Sequence, residues 1–104
     1  MYEYKAKVIR VVDGDTMICE IDVGFSIKIK ERIRLRGINT PEVRGTEKKW
    51  GLEVKEIVRD IIEGKDITLQ VYKKGKYGRY IADIIINNVQ LSEYLLSNEM
   101  GVRY

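Results

Sequence analysis

IKIKERIRLR, residues 27–36, alternates two kinds of side chain: Ile27, Ile29, Ile33 and Leu35 fall on one face, and Lys28, Lys30, Arg32, Arg34 and Arg36 on the other. A two-residue period of this kind specifies a strand with one face toward a core and one cationic face outward. Upstream lie two more β-branched runs, Lys5 to Val12 and Thr16 to Val23, separated by Asp13-Gly14-Asp15. That tripeptide is tight-turn chemistry, so the pair reads as a hairpin, and Asp22 to Phe25 makes a looser turn into the third strand.

From Thr46 the period changes. Trp50, Val54, Ile57, Val58 and Ile61 form the stripe of an amphipathic helix whose other face carries Glu53, Lys55, Glu56, Arg59 and Asp60. Thr46 is the expected N-cap, and Gly64 the expected stop just past the helix. A strand from Asp66 to Tyr72, the polar loop KKGKYGR and a strand from Tyr80 to Ile86 follow. Asn87-Asn88 then turns the chain into a last short helix near Gln90 to Ser97.

Three strands, a helix, two strands and a helix predict a small closed barrel, because closure removes exposed strand edges from so short a β-protein. An oligonucleotide-binding (OB) barrel carries its helix between the third and fourth strands. The expected fold is therefore mainly β with helices (α+β): a five-stranded OB-fold barrel, its main helix between strands 3 and 4, with a short C-terminal helix. Residues 1–104 are expected to form one domain, since 104 residues is close to the commonest domain size.

Composition narrows the chemistry. With 44% hydrophobic and 34% charged residues, the chain has the make-up of a globular protein. Nineteen basic against sixteen acidic side chains give a net charge of only +3. Cys19 is the single cysteine, so there is no internal disulfide, and no disulfide-linked partner is expected; between Ile18 and Ile21 it reads as a small core residue. MYEYKAKVIRVVDGD lacks the apolar core of a signal peptide and no run reaches transmembrane length, so the chain as given reads as cytoplasmic with no membrane partner. The chain contains no histidine, which removes the Ser-His-Asp triad and every imidazole-based metal site. Chemistry must use carboxylates, guanidinium groups, lysine, tyrosine or a cation bound by oxygen.

Taken singly, the candidate residues have ordinary explanations. Asp13-Gly14-Asp15-Thr16 is a good hairpin turn, Glu42 follows a proline on a surface, and Arg34 and Arg79 can be solvated. Together they meet the needs of metal-assisted phosphodiester hydrolysis. Oxygen ligands on neighbouring turns can hold a cation, a carboxylate can orient or deprotonate water, and two guanidiniums can fork onto phosphate oxygens. In KKGKYGR, Lys73, Lys74 and Lys76 beside Tyr72, Tyr77 and Tyr80 can attract a phosphate backbone and offer faces for stacking, or can form a solvated basic tip. Asp83, on the same strand face as Arg79, either orients an active-site arginine or makes a cross-strand ion pair.

VVDGDT, RLRGINTPE and KYGRYIADI, in that order, resemble the three signature segments of the staphylococcal nuclease (thermonuclease-like) family, and WGLEVKE is similar to the start of its main helix. The similarity runs from about Lys7 to about Leu96. The resemblance implies an OB-type barrel and a calcium-dependent nuclease acting on DNA and RNA and leaving 3′-phosphate ends. By the same resemblance, Asp15 matches a metal-ligating aspartate and Thr40 a threonine that ligates through its carbonyl. Glu42 matches the glutamate that positions or activates water, and Arg34 and Arg79 match the arginines that hold the phosphate. Lys76 and Tyr77 match residues that contact the nucleotide, and Asp13 matches a residue that supports the metal site from behind.

The sequence departs from the family at RGINTPE, where Asn39 stands in place of a second metal-ligating aspartate. An amide oxygen is an acceptable calcium ligand but brings no charge, so weaker metal binding is expected; the oxygen set also admits magnesium or manganese. The segment between Glu42 and the helix is short, and Tyr104 lies about one residue out of register with a tyrosine the family places near substrate. The alternative reading is a catalytically weak or inactive nucleic-acid or protein-binding module on the same barrel.

Overall fold

The computed structural model describes all 104 residues. Its strands are β1 (Tyr2–Asp13), β2 (Thr16–Asp22), β3 (Lys28–Leu35), β4 (Ile38–Asn39), β5 (Asp66–Lys74), β6 (Arg79–Ile86), β7 (Val89–Gln90) and β8 (Val102–Arg103). Helix α1 (Lys48–Ile62) lies between β4 and β5, and α2 (Leu91–Ser97) follows β7. The main sheet runs β3-β2-β1-β5-β6, and β3 also pairs in parallel with β6, which closes five strands into a barrel. The OB-type architecture expected from the strand and helix order is present. The short strands β7, pairing with β6, and β8, pairing with β4, were not expected from sequence. At two residues each they carry no period to read. No helix is long and apolar enough to cross a membrane.

The barrel is filled from every wall. Ala6, Val8 and Val11 enter from β1, Met17, Cys19 and Ile21 from β2, and Ile33 and Leu35 from β3. Ile67 and Leu69 of β5 and Ala82 and Ile84 of β6 complete the ring, while Val54, Val58 and Ile62 of α1 join the same core. The inward set on β1 shifts from even to odd positions because a register irregularity between Val8 and Arg10 leaves Ile9 unpaired. Where β1 runs beyond β5, the C-terminal end of α1 takes over the backbone pairing. Gly64 N–H donates to Val8 O at 2.7 Å, Val8 N–H donates to Lys65 O at 3.1 Å, and Val11 N–H donates to Glu63 Oε1 at 2.9 Å. Burial drives the Cys19 thiol up to about 12, so it stays protonated and serves as a small apolar core residue.

Three expectations about faces are corrected. Ile27 and Ile29 are 53% and 41% exposed, because β6 pairs only with Arg32–Leu35 and the first half of β3 projects past the point of closure. Arg34, expected on a solvated face, is buried. The helix stripe is also rotated: its buried residues are Gly51, Val54, Val58 and Ile62, whereas Trp50 is 41% exposed and Ile57 and Ile61 are half-buried. Gly51 is the reason. A Cβ there would overlap the carbonyl carbon and oxygen of Glu42 and come within 2.8 Å of Val43 N, so only glycine lets α1 lie this close to the segment after Pro41. Thr46 is not the cap. The helix starts at Lys48 after a 3-10 turn at Gly45–Glu47, and its cap, Glu47, makes no side-chain capping bond. Gly64 does stop the helix, in the left-handed region at φ 78°.

Two changes test these joints. The hydrogen bond from Val11 N–H, and then the Arg59 charge, hold the Glu63 carboxyl below its ordinary value of 4.5. A depressed folded value means the contribution to stability is full above the ordinary value and is lost as pH falls through the folded one. Thermal melts should therefore place Glu63→Gln below wild type at pH 7, with the two converging as the pH is lowered through the depressed folded value. Gly51→Ala should cost about 1–3 kcal/mol in denaturant unfolding, because the overlapped atoms are backbone and cannot change rotamer.

Candidate active site

The DGDT turn, the segment after β3 and the β5–β6 tip meet along one groove of about 1580 Å³. Asp13, Asp15, Arg34, Asn39, Thr40, Glu42, Lys76, Tyr77 and Arg79, read from sequence as site residues, all line it. Asp83 does not.

Arg34 is the most constrained of these. It is 9% exposed, and its Nη1 donates to the carbonyls of Leu35 at 2.8 Å and Ile38 at 2.7 Å. Its Nη2 donates to Asn39 Oδ1 and lies 3.7 Å from Asp15 Oδ2. The guanidinium is thus satisfied on one side by backbone and turned on the other toward the ligand candidates. Asp15 is fixed as firmly: Oδ2 accepts Thr40 N–H at 2.9 Å, Oδ1 accepts the Thr16 hydroxyl at 3.1 Å, and its carbonyl accepts Leu35 N–H at 2.8 Å. Gly14 makes this possible, since a Cβ there would come within 2.8 Å of both Thr40 Oγ1 and Val54 Cγ1. The half-buried Asp13 carboxyl is pushed up, first by burial and then by the charge of Asp15, against the opposing pull of Lys55, Arg44 and Arg32.

Asp15 is tied to Thr40 through the Thr40 N–H and to Asn39 through Arg34, so these three oxygen-bearing residues are neighbours in the groove. The buried Thr40 Oγ1 has no hydrogen-bond partner, so polar capacity is left over at the same place. An all-oxygen donor set of this kind fits a hard divalent cation. No three carboxylate or thiol side chains converge on one point, so the charge facing a cation here is low.

Glu42 is exposed, with its backbone held by Gly51 of α1 and by Glu47, whose Oε1 accepts Glu42 N–H at 3.4 Å. Arg79 is half-buried; its Nε is buried without a partner, and its guanidinium carbon is 5.7 Å from the centre of the Tyr77 ring. Tyr77 adopts the left-handed region at φ 61° on a single 3-10 turn, Lys76–Gly78, and its ring stands out in solvent beside exposed Lys76. Asp83 is 2% exposed, and the cation near it is Arg36, with Nη1 at 3.9 Å from Oδ2; it makes no ion pair with Arg79.

Three further groove residues, Arg36, Tyr72 and Tyr104, were not assigned to the site from sequence. Tyr104 N–H donates to Gly37 O at 3.1 Å, and the Tyr104 ring centre lies 5.6 Å from the Arg34 guanidinium carbon. The pairing of β8 with β4 that brings it there leaves no trace in sequence. Arg36 continues the cationic period, but nothing in that period separates it from Arg32. Tyr72 was read as part of the basic loop rather than as a partner of Arg36.

Residues 32–104 match the family model described as staphylococcal nuclease homologue. The chain is 33% identical over 108 aligned positions to an uncharacterised protein of Methanocaldococcus jannaschii, covering 82% of this chain and 50% of that one. It is 38% identical over 69 positions to a probable staphylococcal-like nuclease of Oryza sativa subsp. japonica, covering 66% of this chain and 18% of the relative. Against the thermonuclease of Staphylococcus hyicus it is 29% identical over 98 positions, covering 89% and 55%. The chain thus spans about half the length, or less, of these relatives. The matched segment contains every groove residue from Arg34 to Tyr104, and on that match and the closed barrel the chain belongs to the staphylococcal nuclease homologue family.

Proposed function

We propose that the chain is a calcium-dependent nuclease that hydrolyses phosphodiester bonds of DNA and RNA with little sequence specificity and leaves 3′-phosphate ends. The observation that carries this reading is the meeting in one groove of a preset Arg34, an Arg79 with an unpartnered donor, Glu42 and an all-oxygen donor set. The named nucleases among its relatives support it.

Asp15, Asn39 and the Thr40 carbonyl would hold calcium, with magnesium or manganese admissible on the same oxygens. When bound, the cation supplies positive charge to the phosphate oxygens. Arg34 adds a second fixed charge, and because its Nη1 is already committed to two carbonyls it reorganises little as the phosphate gains charge. Arg79 brings its Nη donors to the phosphate. Glu42 accepts a proton from water as the water oxygen bonds to phosphorus. The P–O5′ bond breaks, O5′ takes a proton from solvent water while Glu42 returns its proton to solvent, and the phosphate stays on the 3′ side. Lys76 and Tyr77 hold the phosphate and sugar of the nucleotide at the tip of β5–β6, and Asp13 backs the Asp15 turn.

A second reading, a nuclease-like module that binds nucleic acid or protein with little or no catalysis, is favoured by one observation. Only one of the three donor residues is charged, and the Asn39 amide oxygen already accepts from Arg34.

Metal-dependent cleavage of single-stranded DNA and RNA separates the readings, with binding but no cleavage at millimolar calcium supporting the module. Under the nuclease reading Glu42→Gln abolishes cleavage, and Arg79→Ala costs about 3–4 kcal/mol of transition-state stabilisation, measured as kcat/KM. Arg34→Ala should lose the same and also unfold more readily, by about 1–3 kcal/mol, because the acceptors it satisfies are left buried. Asn39→Asp should lower the calcium concentration for half-maximal activity severalfold; an unchanged calcium titration would remove Asn39 from the ligand set.

A further inference from the structure

Arg36 is placed unlike the other cations of the protein. Its backbone N–H donates to Ala82 O at 2.9 Å, extending the β3–β6 ladder by one step. Its guanidinium carbon lies 4.1 Å from the centre of the Tyr72 ring, nearer than any other cation-aromatic pair in the chain. The buried Asp83 carboxylate is 3.9 Å from Nη1, and Asp83 Oδ2 has no hydrogen-bond partner. A ring below and a buried charge beside it restrict a side chain that is still 55% exposed, and Arg36 and Tyr72 both line the groove. A solvated surface arginine would have neither restraint.

Position along the strand gives the restraint a purpose. Arg36 follows Arg34 by two residues on the same face, a rise of roughly 6.6 Å. That is about one nucleotide step of an extended single strand. Lys73, Lys74 and Lys76 continue the groove past Tyr72. Resting on the nuclease reading above, we propose that Arg36 is a second phosphate-binding position, taking the backbone phosphate adjacent to the one between Arg34 and Arg79 on a single nucleic-acid strand. Asp83 is its positioning residue: it touches no substrate and holds the guanidinium over Tyr72 so that the open face and the remaining donors point into the groove. Preset in this way, the arginine loses little freedom when the strand arrives.

The test is equilibrium binding of a fluorescent oligothymidylate in chelator, where cleavage is suppressed, with affinity followed by anisotropy as a function of salt. Wild type should bind with a linear salt dependence. Arg36→Ala should flatten the slope of log affinity against log salt by about 0.7, one single-strand phosphate contact, and weaken binding about tenfold, the equivalent of one charge-assisted hydrogen bond. Arg36→Lys keeps the charge and should restore the slope but not the affinity; it also serves if the alanine variant proves unstable. Asp83→Asn distinguishes positioning from charge. Removing a negative charge beside the groove tightens binding if charge is all Asp83 contributes, and weakens it if Asp83 holds Arg36. In the positioning case the double variant binds no more weakly than Arg36→Ala alone. Wild-type binding with an unchanged slope in Arg36→Ala overturns the subsite and leaves the nuclease reading standing. Tighter binding by Asp83→Asn overturns the positioning role, and failure of the wild type to bind any single strand in chelator overturns the subsite, while the nuclease reading falls only if metal-dependent cleavage is absent as well.

Discussion

The parallel pairing of β3 with β6 is the constraint on which the rest depends. Four consecutive pairs, from Arg32 with Arg79 to Leu35 with Ala82, close the barrel. The closure brings inward residues Ile33, Leu35, Ala82 and Ile84 into one core and sets Arg34 and Arg79 on adjacent strands of the outer surface. Parallel pairing is non-local by nature, and here it joins segments more than forty residues apart. Removing it would open the sheet and separate the two guanidiniums at once, so stability and the candidate chemistry share a single joint.

Around that joint the groove is made rigid by backbone acceptors and close contacts rather than by many charges. Arg34 spends two hydrogen bonds on main-chain carbonyls, Asp15 one on the amide of Thr40, and the glycines at 14 and 51 let the turn and the helix approach where a Cβ would collide. Two polar atoms beneath the groove lining, the Arg79 Nε and the Thr40 hydroxyl, are buried without a partner, and the Glu42 carboxylate is exposed at the groove. The oxygen set has low charge, with Asn39 in place of an acid, and it is coupled directly to the arginine, because Arg34 Nη2 donates to Asn39 Oδ1 and lies 3.7 Å from Asp15 Oδ2.

Much of this was legible in the sequence, and the failures have physical causes. Alternation along Ile33-Arg34-Leu35 gave the third strand, and the change of period at Thr46 gave the helix, because each follows from local repetition. The same alternation misplaced Ile27 and Ile29, since a period reports which residues share a face and not whether the barrel extends that far. The helix stripe was rotated by Gly51, whose importance lies in the Glu42 carbonyl it approaches, a contact between separate segments. Asp13 and Asp15 were singled out by turn chemistry and by a family resemblance, and Asn39, Thr40 and Glu42 by the resemblance, and all five line the groove. Asp83 and Tyr72 were singled out, but neither their grouping with Arg36 nor the Tyr104 contact with Arg34 was, because these are assembled by a pairing step beyond the end of β3 and by β8 pairing with β4.

The central claim is that this groove breaks the P–O5′ bond, with Glu42 on the water side and Arg79 on the leaving side. Mass spectrometry of the fragments released from a single-stranded oligonucleotide in calcium tests it most directly. The account predicts pairs of products ending in 3′-phosphate and beginning in 5′-hydroxyl; fragments that begin in 5′-phosphate, or an oligonucleotide recovered bound and intact, would contradict it.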